Sequence, residues 1–80
     1  MNIGGLYCYP EETKDIWDNI KINGFVTGQQ VKAGEPFIVL KEVNYSENKN
    51  RPHLKILTAS GIIGWIAYAD KDVLREVTQK

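Results

Sequence analysis

Eighty residues, 42% of them hydrophobic and 25% charged, suffice for one globular domain and leave no room for a second independent core. Ten acidic and ten basic side chains cancel, which argues against general binding to nucleic-acid backbones, and no run approaches the roughly 20 apolar residues of a membrane span. Cys8 is the only cysteine, so an internal disulfide is excluded and a metal site would lack thiolate partners. A lone cysteine fits a reducing compartment, and Met-Asn-Ile-Gly-Gly at the start has neither the basic region nor the apolar run of a signal peptide, so a cytoplasmic location is expected. A core this small typically leaves about 3 to 5 kcal/mol of net stability unless a partner subunit or an efficient closed barrel adds to it.

In chain order, residues 3–9 alternate small or polar with apolar side chains, and Tyr7 and Tyr9 fall one strand repeat apart, so both rings project from one face of a first strand that Pro10 ends. Residues 11–19 are acidic and rich in turn and cap formers. They read as a long excursion with one helical turn that tucks Ile16 and Trp17 back onto the body. Residues 20–31 read as a second strand bent at Gly24 and Gly28, followed by a turn at residues 32–36. Residues 37–43 carry the strongest strand pattern. Residues 44–52 are a polar loop or hairpin tip, residues 54–58 the next strand, Ala59-Ser60-Gly61 a tight turn, residues 62–67 a fifth strand, residues 68–71 a turn and residues 72–77 a short closing strand. Period-2 spacing puts Phe37, Val39, Leu54, Ile56 and Ile66 on one side of a small core, the pattern of an antiparallel meander.

Several of these residues together resemble the bacterial Src-homology-3 family. The matching features are Gly28 and Val31 ahead of Lys32-Ala33-Gly34-Glu35, then Phe37-Ile38-Val39-Leu40, Leu54-Lys55-Ile56, and Gly61-Ile62-Ile63-Gly64-Trp65-Ile66 with Leu74 closing, covering about residues 24 to 77. The resemblance implies a small Src-homology-3-like (SH3-like) barrel of five to six antiparallel strands with a short helical turn in the first long loop. It is specific for fold and nearly silent on ligand. The family's usual Leu-Asn-Val-Arg-Ser-Gly-Pro opening is replaced by Leu6-Tyr7-Cys8-Tyr9-Pro10, and no hydrolase domain accompanies it, which weakens a cell-wall role. A short stand-alone chain of this type looks most like a phage accessory protein, acting in the host cytoplasm.

No nucleophile, base and acid are spaced as a catalytic set, so a non-enzyme is expected. Trp65 lies between Gly64 and Ile66, so alternation places it opposite the core residue Ile66. Beside Tyr7, Tyr9 or Tyr68 it would form an aromatic groove; the competing reading is a lid over the outside of the barrel. Residues 49–55 gather Lys49, Arg51, His53 and Lys55 without an acid, a candidate anion site with Arg51 as its fork, or else a solvated tip that protects an edge. His53 reads as a strand-surface residue, with no Asp or Ser near it in sequence to orient it as a base. Glu11, Glu12, Asp15 and Asp18 miss the calcium-loop spacing and read as a solvated loop, and Cys8 as a packing residue without a basic neighbour. No cofactor and no metal are expected.

Two functional classes follow. The first is a non-catalytic binding module that engages a host protein or a small anionic ligand through Trp17, Tyr45, Arg51, His53, Lys55, Trp65 and Tyr68. The second is a structural or assembly protein, a homo-oligomer or virion component, that buries Leu57, Ile63 and Trp65 between subunits. Targeting of wall glycan is a third possibility.

Overall fold

The computed structural model describes residues 2–20, 24–44 and 51–77. Seven strands follow in sequence: β1 (Leu6–Cys8), β2 (Lys14–Trp17), β3 (Val26–Val31), β4 (Phe37–Val43), β5 (His53–Thr58), β6 (Ile63–Ile66) and β7 (Arg75–Glu76). They form one sheet in the order β3-β2-β6-β5-β4-β1-β7, and every pairing is antiparallel. The sheet is open, with β3 and β7 at its edges. Among the described residues there is no α-helix, and no helix is long and apolar enough to cross a membrane.

One correction concerns residues 11–19. Where a helical turn was expected there is strand β2, inserted between β3 and β6, which raises the strand count to seven. Local composition disfavours regular structure there, but the backbone groups of Lys14–Trp17 find partners on both sides, and Ile16 is fully buried between the two neighbours. Non-local pairing overrides propensity.

The meander β4-β5-β6 follows from its alternation. Phe37 and Val39, Leu54 and Ile56, and Ile66 are buried, joined by Tyr7, Tyr9, Ile16, Val31, Ala69 and Leu74. Gly61 makes the β5–β6 turn at φ 89°, a conformation that strains any residue with a Cβ, while Thr58 closes it with backbone bonds to Gly61 and Ile62.

With no helix or second sheet among the described residues, this sheet buries its apolar face by coiling over itself. Laid flat, β3 and β4 would stand about 19 Å apart, four interstrand spacings. Only residues 32–36 join them, and the Glu35 N–H bonded to the Lys32 carbonyl (2.9 Å) shortens that connection. Residues 9–13 bridge the same gap from β1 to β2, and the two connections are tied where the Gly34 N–H donates to the Tyr9 carbonyl at 2.7 Å. Register shifts between Asp15 and Trp17 and between Val39 and Lys41 supply the local bends.

Candidate binding face

Burial of Ile16, Leu54, Ile56 and Ile66 on the inner face sends their strand neighbours outward. Register then decides who meets whom. Trp17 is the cross-strand partner of Trp65, Trp65 of Lys55, and Lys55 of Lys41, while Val26 stands opposite Trp17 on the other side. Val26, Trp17, Trp65, Lys55 and Lys41 therefore form one row across five strands, with directly opposed Cβ atoms about 4.5–5.5 Å apart. Trp17, Trp65 and Lys55 are half-buried, and Lys41 and Val26 are exposed. Two residues along β5 and β6, roughly 7 Å away, and three along β4 across its register shift, a parallel apolar row pairs Ile38 with Leu57 and Leu57 with Ile63, and Ile63 is 59% exposed.

Gly64 makes the tryptophan pair possible. It is buried on the inner face of β6, and a Cβ there would collide with Cγ2 of Ile16 and come within 3.2 Å of the Trp17 carbonyl oxygen. With only hydrogen at that position, β2 settles against β6 and Trp17 comes beside Trp65. The hydroxyl of Thr27 adds a bond to the Ile16 carbonyl at 2.9 Å where the β2–β3 register shifts. Asp18 closes the same hairpin, its carboxylate accepting from the backbone N–H groups of Asn19 (2.8 Å) and Phe25 (2.9 Å).

The two lysines carry the electrostatic character of the row. Like charges placed directly opposite each other on neighbouring strands repel. The ion pairs among the described residues join Lys14 to Glu12, Arg51 to Asp70 and Lys71 to Glu42, and neither Lys41 nor Lys55 takes part in one. The aromatic half of the row thus ends in a positive half that no described carboxylate neutralises.

The other candidate residues lie along β5 toward its start. His53, on the same alternation as Lys55, is buried under Tyr68, with ring centroids 4.6 Å apart at 61°. The Tyr68 N–H donates to His53 Nδ1 at 3.3 Å, so that nitrogen is unprotonated, and burial lowers the imidazole pKa below its ordinary value. Tyr68 is 61% exposed at φ 51°, a left-handed backbone held by the turn it occupies. Arg51 is exposed, and its guanidinium lies 3.7 Å from the Asp70 carboxylate. Trp17, Trp65 and Lys55 are therefore brought together, with His53 and Tyr68 at the end of the same face, while Arg51 faces Asp70. Tyr45 and Lys49 lie outside the described residues.

Two sequence expectations about this surface are corrected. Tyr7 and Tyr9 do share a face, but it is the core face, where Tyr9 stacks on Phe37 at 6.0 Å, so neither joins the groove around Trp65. His53 is a buried residue beneath a ring and not a strand-surface one. Lys41 and Val26 escaped the sequence reading, because membership of the row depends on registers between strands distant in the chain. Among the described residues no group of three or more His, Cys, Asp or Glu is placed to hold a metal ion. No family model, curated protein or solved structure matches the chain.

Proposed function

We propose that this protein is a non-catalytic binding module whose outer sheet face recognises an acidic segment of a partner protein. The observation that carries this reading is the register of the row: two tryptophans side by side, followed by two opposed lysines that no described carboxylate neutralises. Half-buried tryptophans offer large, rigid apolar area at little entropic cost, and a carboxylate seated between Lys41 and Lys55 removes their repulsion. A ligand with an aromatic or aliphatic side chain next to Asp or Glu meets both requirements. The coiled sheet, with its two connections tied between Gly34 and Tyr9, supports a Src-homology-3-like barrel as the architecture behind this face.

Selection from a random peptide display library tests the proposal. The only two tryptophans of the chain stand in the row, so their emission reports its occupation directly. Selected peptides are expected to place Asp or Glu beside a large apolar residue, to shift tryptophan emission on binding, and to lose affinity for the Lys41→Glu/Lys55→Glu double variant. Peptides without acidic bias, or binding that survives the double variant, would overturn it. Self-association through Leu57, Ile63 and Trp65 is the competing reading. It predicts tryptophan emission and light scattering that change with protein concentration in the absence of any peptide, a result that would replace the partner proposed here.

A further inference from the structure

A second site lies away from the sheet row, where the connection after β1 meets the turn before β7. Tyr9, Pro10, Glu11, Glu12, Val73 and Arg75 line a cleft of about 240 Å³, below the range of about 300–1,000 Å³ usual for drug-sized ligands and matched to something smaller. Tyr9 is fully buried, and its hydroxyl has no hydrogen-bond partner among the described residues. A buried polar group left without a partner costs stability and calls for one that the described residues do not supply.

Opposite charges line the same cleft without meeting. The Glu11 carboxylate and the Arg75 guanidinium enter none of the ion pairs among the described residues. Glu12 is engaged by Lys14 at 2.8 Å, and that ammonium group also lies 5.2 Å from the centre of the Tyr9 ring. Arg75 uses Nη1 on the carbonyls of Asp72 (3.0 Å) and Leu74 (3.1 Å), which fixes the guanidinium and leaves its Nε and Nη2 donors for a ligand. Pro10 and Val73 add apolar wall. Burial first, and then Glu12 and Asp70 nearby, raise the Tyr9 pKa, so the phenol stays protonated and its oxygen keeps its lone pairs for a donor.

We propose that this cleft binds a small zwitterion of the α-amino-acid type, its ammonium group held by Glu11 and the Tyr9 hydroxyl oxygen and its carboxylate by Arg75. The short aliphatic side chain of such a ligand rests on Pro10 and Val73. This site is independent of the sheet row.

Titration with L-leucine, followed by the backbone amide resonances of Glu11, Glu12, Val73 and Arg75, tests the assignment. Saturable shifts are expected, with L-leucinamide and N-acetyl-L-leucine, which each keep one charge, binding at least about tenfold more weakly. Tyr9→Phe, which removes only the orphan hydroxyl, is expected to weaken leucine binding about tenfold without lowering the unfolding midpoint, and Glu11→Gln, at an exposed position, to weaken it similarly. The absence of saturable shifts with L-leucine, equal binding of either single-charge analogue, or wild-type affinity in both variants would overturn the proposal.

Discussion

Gly64→Ala adds one methyl group where the structure has none to spare. Because the backbone at Gly64 is not in the left-handed region, the substitution by itself gains about 0.4–1 kcal/mol from the less flexible unfolded chain. Against this stands the collision with Cγ2 of Ile16, whose strand is held on both sides by β3 and β6, and with the Trp17 carbonyl, which is main chain and cannot rotate away. Overpacking in such a site costs roughly 1–3 kcal/mol, so the net expectation is a loss of about 1–2 kcal/mol, a large share of the 3 to 5 kcal/mol typical of so small a core. Ile16→Ala alone opens a cavity and is expected to cost about 2–5 kcal/mol. In the double variant the new methyl group occupies part of the space that Ile16 vacates, so the pair should be less destabilised than the two single losses together, by about 1 kcal/mol or more. Urea unfolding followed by tryptophan emission measures all four members of the cycle. Strict additivity, or a Gly64→Ala protein within about 0.5 kcal/mol of wild type, would refute the idea that this glycine sets how closely β2 approaches β6.

Lys41→Glu is expected to stabilise the domain by about 0.2–1 kcal/mol by turning an opposed like-charge pair into an attractive one, and the gain should shrink in high salt; a urea midpoint unchanged at both ionic strengths would contradict it. His53 titrates below its ordinary value of 6.5 in the folded chain, so the unfolded chain takes up its proton first as pH falls. Stability contributed by the neutral imidazole is therefore fully present above pH 6.5 and declines as pH drops below it through the folded-state pKa. Urea midpoints measured on either side of pH 6.5 should show that decline, and His53→Asn should remove its His-dependent part.

The parts of this fold that local pattern can encode were open to the sequence. Alternation alone placed Phe37, Val39, Leu54, Ile56 and Ile66 inside, and the same rule put Trp65 on the face opposite Ile66. Strand β2 was hidden because Lys14-Asp15-Ile16-Trp17 has a single inward apolar residue and sits among acids and turn formers; it is a strand because β3 and β6 supply partners from elsewhere in the chain. The site was half visible for the same reason. Trp17, Lys55 and Trp65 were recognisable as binding candidates by residue type, Trp17 also as the anchor of the first excursion, but their alignment with Lys41 and Val26 is a matter of register, which no window of sequence contains. His53 belongs to a third kind: its burial depends on Tyr68 folding over it from the turn after β6.

The outer row is separable from what keeps the domain folded, and this makes its role testable. Ile16 and Ile66, fully buried on the inner face, hold β2 and β6 in place, and Trp17 and Trp65 are their outward neighbours. Substituting an outward ring removes area from a half-buried surface and opens no cavity in the core, so loss of binding in such a variant reports on recognition. The cleft has the same property by a different route. Tyr9 is tied into the body through its carbonyl, which accepts from the Gly34 N–H, and through its ring, which stacks on Phe37. Neither contact uses the hydroxyl. One connection, residues 9–13, thus carries Tyr9, Glu11 and Glu12 at the cleft and leads directly into the strand that presents Trp17, yet the groups assigned to ligands at either end are ones whose removal leaves those anchoring contacts in place.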